Sequence, residues 1–110
     1  YSSRWEICNA IQKIAKQIEN KSITSNEINQ DFISANLNTA NYPDPELLIR
    51  TSGEQRISNF LLWQAAYAEL YFTNTLWPDF KKKDFYEAIA EYQKRERRYG
   101  KTSEQIIKNE

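Results

Sequence analysis

ELLIRTSGEQRISNFLLWQAAYAELYFTNTLWPDF, residues Glu46 to Phe80, is the stretch whose reading decides the fold. Leu47-Leu48-Ile49 is a short, continuously apolar run, which reads as a strand covered on both faces as in a parallel sheet, and Arg50 follows at its carboxyl end. A polar loop then ends in Arg56 and Ser58. Ser58 is placed to cap a helix running through Phe60, Leu61, Leu62, Trp63 and Ala66 to about Glu69. Leu70-Tyr71-Phe72 reads as a second strand, and Trp77-Pro78 closes the unit. Strand, helix, strand in this order is a βαβ unit whose crossover is expected to be right-handed. Two guanidinium groups and a hydroxyl therefore gather where a strand hands over to a helix N-terminus. Backbone N–H groups and the helix dipole favour an anion there, so a phosphate or diphosphate pocket is expected.

Outward from this stretch the pattern is helical. Trp5 to about Glu19 spaces Ile7, Ile11, Ile14 and Ile18 as one apolar stripe. Thr24 and Glu27 form a capping box with Ile23 and Ile28 as a staple, so a second helix starts near Ser25, with a break and restart near Asp31. Pro43 and Pro45 make Asn41 to Pro45 a loop. From Asp84 to about Tyr99 a further helix puts Phe85, Ala88, Ile89 and Tyr92 on one face, with Gly100 as its C′ residue.

Composition bounds the class. The chain has 110 residues, enough for one small domain over 1–110. Fifteen basic residues balance fifteen acidic ones, so no overall field marks a nucleic-acid binder, although Lys81–Lys83 and Lys94, Arg95, Arg97 and Arg98 concentrate positive charge locally. The single Cys8 cannot form an intrachain disulfide, which fits a reducing compartment, and without histidine a typical zinc site is not expected. No apolar run approaches the roughly 20 residues of a membrane span, so a soluble, cytoplasmic protein is expected. The fold class is α/β, a mostly parallel sheet flanked by helices. Two strands alone would leave unpaired backbone at both edges, so the sheet is expected to be incomplete without a partner segment.

The run from LLIR through the SGEQRIS loop to WQAAYAELYF and LWPDF, with RERRYG further on, closely resembles the C-terminal signature of the cis-prenyltransferases, the undecaprenyl diphosphate synthase family. YSSRWEI resembles the start of the family's third motif region. The resemblance implies that the chain corresponds to the C-terminal half of such an enzyme, lacking the N-terminal half with its allylic-diphosphate loop and main metal-binding aspartate. The fragment alone is then expected to be inactive. It implies condensation of isopentenyl diphosphate onto an allylic diphosphate such as farnesyl diphosphate, with undecaprenyl diphosphate for cell-wall lipid carrier synthesis as product. It also implies a homodimer, and peripheral membrane association through the lipid product. A non-catalytic accessory or dimerisation module is the alternative.

Residue by residue, the resemblance implies that Arg50, Arg56 and Ser58 hold the diphosphate of isopentenyl diphosphate. It implies that Glu69 helps place Mg²⁺, and that Arg98 and Gly100 of an Arg-x-Gly element reach the partner subunit's isopentenyl diphosphate. Without it, Arg50 reads equally as a solvated or salt-bridging arginine, Ser58 as an ordinary N-cap, Glu69 as a surface carboxylate and RERRYG as a basic helix end. Glu54 is expected to orient Arg56, and Trp63, Tyr67, Tyr71, Phe72 and Trp77 to serve as core and dimer-interface aromatics. Ser2 and Ser3 stand where relatives often have paired glycines, making a positive φ less comfortable. Glu46 and Gln55 stand where relatives have aspartate and histidine, so neither is given a metal or proton role.

Overall fold

The computed structural model describes residues 2–108, and the ends of the expected span 1–110 lie outside them. The chain divides into two compact units, Tyr1–Asp44 with Ser58–Gln64 and Pro45–Ile57 with Ala65–Glu110.

In the first unit, α1 spans Ser3–Glu19 and α2 spans Gln30–Ala35. The Ser2 hydroxyl caps α1 by accepting from the Trp5 N–H at 3.2 Å, so the helix begins two residues before the expected Trp5. Ser3, Ala10 and Ile14 are its buried residues, whereas Ile11 and Ile18 of the expected stripe are exposed. The buried face is rotated because α1 packs small residues inward at its N-terminal end. Thr24 N–H donates to Glu27 at 2.7 Å as the capping box requires, but only a 3₁₀ turn, Ser25–Glu27, forms there. The restart near Asp31 is α2, capped by the Asn29 side chain accepting from Phe32 N–H at 2.8 Å.

The expected helix from Ser58 to Glu69 does not form. Residues 59–67 are turns and bends, and Ser58, Asn59 and Leu61 have φ of 47°, 64° and 50°. Such angles are incompatible with an α-helix. Tertiary hydrogen bonds override the apolar periodicity. Leu62 N–H donates to Ser3 Oγ (2.9 Å), Trp63 Nε1 to Ser34 Oγ (2.9 Å), and Gln64 Nε2 to Glu6 Oε1 (2.9 Å) and Thr39 Oγ1 (3.0 Å). Ser58 is therefore not an N-cap.

In the second unit, β1 (Leu47–Arg50) and β2 (Glu69–Phe72) pair in parallel, with Leu47 opposite Glu69 and Arg50 opposite Phe72. Leu48 is buried and the rest of β1 half-buried. A 3₁₀ turn, Trp77–Asp79, leads to α3, Lys82–Lys94, whose start is set by Lys81 N–H donating to Asp84 at 2.8 Å. Ala88 is buried against the unit, Ile89 and Tyr92 half-buried, and Phe85 stays exposed. The helix stops at Lys94, five residues short of the expected Tyr99, because Arg95 turns extended (φ −83°, ψ 145°). Arg95 then donates to Leu70 O at 2.5 Å and Glu91 at 2.6 Å, and Arg97 donates to Tyr67 O at 3.1 Å. Those side-chain bonds to strand and turn carbonyls replace further helical turns, so Gly100 is not the helix's C′ residue. A short α4, Ser103–Lys108, follows, which the sequence pattern did not reveal. Tyr67 and Trp77, expected in the core or an interface, are 61% and 70% exposed; Trp63, Tyr71 and Phe72 are half-buried.

Candidate functional site

Arg50 ends β1, at the carboxyl edge of the parallel pair, where open α/β sheets bind ligands. The loop after it folds onto the segment following β2. Ser52 N–H donates to Thr75 O (2.9 Å), Gly53 N–H to Thr73 O (2.8 Å) and Thr73 N–H to Arg50 O (2.9 Å). Ser52 and Gly53 both take positive φ (69° and 73°), and a Cβ on Gly53 would lie 3.0 Å from Asn74 Oδ1. That turn brings the chain back so that Arg50 Nη1 donates to the Arg56 carbonyl at 3.3 Å. Arg56 in turn pairs with Glu54, as expected from the sequence.

The Arg50 guanidinium thus lies on the backbone of the loop that carries Arg56, whose own guanidinium is on Glu54. Arg50 is half-buried with one N–H engaged on a carbonyl, leaving most of its fork of donors free to turn outward. Arg56 is exposed, and a solvent-facing pair of this kind contributes little, so a more highly charged anion can displace Glu54 from it. Ser58 belongs to the other unit and is exposed. Within one unit, then, Arg50 and Arg56 come together, and Ser58 is not among them.

Glu69 lies elsewhere. It is the first residue of β2, opposite Leu47, at the amino edge of the same strand pair. Three residues separate that register position from Arg50, which at strand rise is about 10 Å. Glu69 lines an open cleft of about 520 Å³ together with Tyr67, Arg95, Glu96, Arg98 and Gly100. Two of the expected site residues, Arg98 and Gly100, thus share a wall with Glu69 and not with Arg50. Arg98 Nε donates to Glu96 at 3.2 Å, and the Ser103 hydroxyl donates to the same carboxylate oxygen at 2.7 Å. The Ser103 hydrogen bond holds the Glu96 carboxyl below the ordinary carboxylate value; desolvation opposes it, and the bond and charge of Arg98 add to the lowering. Gly100 has φ +80° with only the Tyr67 ring 3.8 Å from a built Cβ, so its need is for backbone conformation, not space. Behind this wall Arg97 stacks on Tyr99 at 4.6 Å and Tyr92 at 5.7 Å, and donates to the Tyr92 hydroxyl at 2.7 Å. Glu46 accepts from that hydroxyl at 3.4 Å, a packing role.

No group of three or more His, Cys, Asp or Glu is poised around one point among the described residues. The Glu69 carboxylate has no hydrogen-bond partner among the described residues and opens into a cleft edged by arginines. It could supply at most one protein oxygen to Mg²⁺, an ion that keeps several waters and takes further oxygens from substrate phosphates.

The family model described as "Putative undecaprenyl diphosphate synthase" matches residues 1–100. The chain belongs to the undecaprenyl diphosphate synthase family of prenyltransferases. An isoprenyl transferase of Chlorobaculum tepidum is 56% identical over 110 residues, covering all of this chain and 42% of that protein. The Coxiella burnetii ditrans,polycis-undecaprenyl-diphosphate synthase, described as (2E,6E)-farnesyl-diphosphate specific, is 50% identical over 108 residues, covering 98% of this chain and 46% of its own. Among solved structures, lavandulyl diphosphate synthase from Lavandula x intermedia, crystallised with dimethylallyl diphosphate, superposes with a TM-score of 0.88 at 40% identity, over 92% of this chain and 44% of that one. The chain thus spans less than half the length of these prenyltransferases. Among the described residues no helix is long and apolar enough to cross a membrane.

Features invisible to sequence reasoning include the Arg95 and Arg97 anchors and the hydrogen bonds holding residues 58–64. One signal was available for the latter: Asn59, a residue type that tolerates the left-handed region, directly follows Ser58.

Proposed function

We propose that this chain supplies the isopentenyl-diphosphate-binding part of a cis-prenyltransferase that joins isopentenyl diphosphate to an allylic diphosphate. The observation that carries this is Arg50 at the carboxyl edge of the parallel strands of a prenyltransferase-family chain, its guanidinium held on the backbone carbonyl of Arg56. Arg50 and Arg56 grip the diphosphate, and the Ser58 hydroxyl is assigned to the same ligand on the family resemblance of the SGEQRIS loop. They orient the alkene towards the allylic carbon, and positioning of two bound reactants is a large part of catalysis. As the C–O bond of the allylic substrate breaks and diphosphate leaves, the alkene of isopentenyl diphosphate attacks the allylic cation to form the new C–C bond, and a proton is then lost to restore the double bond. The proposed donor is farnesyl diphosphate and the product undecaprenyl diphosphate, after the name of the Coxiella relative, serving cell-wall lipid carrier synthesis in the cytoplasm with peripheral membrane contact through the product. When bound, Mg²⁺ would neutralise diphosphate charge, with Glu69 as its ligand from this chain.

The edge-to-edge separation divides the labour. Arg50 and Arg56 serve the subunit's own site, whereas Glu69, Arg98 and Gly100, on a different wall, serve the partner's site in a homodimer. The exposed Tyr67 in that cleft suits an interface. The 110 residues alone are proposed to be inactive, because they hold two glycines, Gly53 and Gly100, and no glycine-rich loop for the allylic diphosphate.

The test is kinetic. In the complete enzyme, Arg50→Ala and Arg56→Ala should each raise KM for isopentenyl diphosphate at least about tenfold while leaving KM for the allylic substrate within about twofold. Equal rises for both substrates would refute the assignment. Incorporation of isopentenyl units by the purified 110-residue chain would refute its proposed inactivity.

A further inference from the structure

Ser58 is the one expected ligand that stands on strained backbone. Its φ is 47°, followed by Asn59 at 64° and, one residue on, Leu61 at 50°. Non-glycine residues hold such angles only where surroundings over-determine them. The surroundings here are the first residues of α1. The Asn59 carbonyl accepts from Ser3 N–H at 2.9 Å, and Asn59 Oδ1 accepts from Arg4 N–H at 3.0 Å. Asn59 Nδ2 donates to Ser2 Oγ at 2.9 Å, and Leu62 N–H donates to Ser3 Oγ at 2.9 Å.

These contacts satisfy N–H groups that a helix start leaves without intrahelical partners, so α1 and the strained turn complete one another. Two of the bonds end on the hydroxyls of Ser2 and Ser3. Ser2 itself has φ −111°, so this chain needs no glycine there. Ser3 is buried, at 4% exposure, which shields its hydroxyl from competition by solvent.

We propose that Ser2, Ser3 and Asn59 are positioning residues. They form a hydroxyl and amide clamp that fixes the backbone at Ser58 so that its hydroxyl is presented to the diphosphate of isopentenyl diphosphate. The clamp rests on the assignment of Ser58 made above. It adds that the Ser2 and Ser3 hydroxyls fasten the turn through their side chains.

The experiment uses the complete enzyme with Asn59→Gly, the double replacement Ser2→Gly with Ser3→Gly, and Ser58→Ala alone and combined with each. Glycine keeps the positive φ accessible at position 59, and at an N-cap it costs a helix little, so both clamp variants are expected to fold. Thermal unfolding is followed beside KM for each substrate. Asn59→Gly should raise KM for isopentenyl diphosphate about tenfold, and the serine pair about three- to tenfold. kcat and KM for the allylic substrate should stay within about twofold. In the Ser58→Ala background the clamp variants should add less than about twofold, since they act through Ser58.

Multiplicative effects in that background, or equal KM rises for both substrates with a lowered Tm, would overturn the clamp. Normal kinetics in Asn59→Gly and in the serine pair, beside a strong Ser58→Ala defect, would overturn it while leaving Ser58 a ligand. If Ser58→Ala itself has normal kinetics, the assignment of Ser58 fails, and the clamp's catalytic purpose fails with it.

Discussion

A mixed dimer carrying Arg98→Ala in one subunit and Arg50→Ala in the other tests the division of labour between the two sheet edges. The Arg98 side chain is 59% exposed, and its ion-pair partner, Glu96, is 39% exposed, so losing that pair changes stability little. The measured loss would therefore be that of a charge-assisted hydrogen bond to diphosphate, about 1.5–3 kcal/mol, or roughly 10- to 150-fold in kcat/KM. Arg50→Ala should cost a similar factor at the opposite edge. Each homodimeric variant should accordingly retain at most about a tenth of wild-type activity. In the mixed dimer, isolated through different tags on the two subunits, trans action puts both lesions in one site and leaves the other intact. Activity should then be about half of wild type, read as incorporation of labelled isopentenyl diphosphate at subsaturating concentration. If Arg98 instead serves its own subunit, each site carries one lesion and activity falls to the homodimer level. That outcome would refute the assignment of Glu69, Arg98 and Gly100 to the partner's site.

Gly53→Ala should lower stability by about 1–2 kcal/mol, seen as a reduced Tm, because the φ of 73° is strained for alanine and the new methyl meets Asn74 Oδ1 at 3.0 Å. Glu54→Gln should leave Tm within about a degree yet tighten isopentenyl diphosphate binding, since an exposed competitor for Arg56 is neutralised; an unchanged or raised KM would count against this. The Ser103 and Arg98 contacts to Glu96 favour its ionised form, so their contribution is complete above the ordinary carboxylate value of 4.5 and fades as pH falls through the lowered folded value. Protection of the amides around Ser103, taken relative to their intrinsic exchange rates, should therefore fall on acidification through that window and stay constant above it; protection that falls with rising pH would contradict the sign. Tyr67→Ser should weaken self-association in sedimentation without unfolding the chain, because the ring is largely exposed; unchanged association would remove Tyr67 from the interface.

The parallel strand pair was legible because Leu47-Leu48-Ile49 and Leu70-Tyr71-Phe72 are short apolar runs separated by one connection, and β1 and β2 form there in parallel register. The pairing of Arg56 with Glu54 was legible from proximity alone. Residues 58–68 were misread because Phe60, Leu61, Trp63 and Ala66 satisfy a helical period, while the hydrogen bonds that Leu62, Trp63 and Gln64 donate go to acceptors on sequence-distant segments, Ser3, Ser34, Glu6 and Thr39. The end of α3 was misplaced for a related reason. Arg95 and Arg97 look like a basic last turn, but their guanidinium groups bond the carbonyls of Leu70 and Tyr67, which no local pattern can announce. Family resemblance supplied candidate ligands but not their arrangement. Only the register, with Glu69 opposite Leu47 and Arg50 opposite Phe72, showed that they lie at opposite ends of the sheet.

The strand pair also constrains the chain's birth. The connection from 51 to 68 holds β1 and β2 apart by 18 residues. At synthesis rates of about 5–20 residues per second, LLIR leaves the ribosome roughly one to four seconds before the strand it pairs with. During that interval its backbone donors and apolar side chains are exposed to any other nascent strand. Slowing elongation while this connection emerges, by synonymous rare codons placed a tunnel length downstream of it, should therefore lower the soluble yield, whereas the same codons within 51–68, read while LLIR is still inside the ribosome, should not.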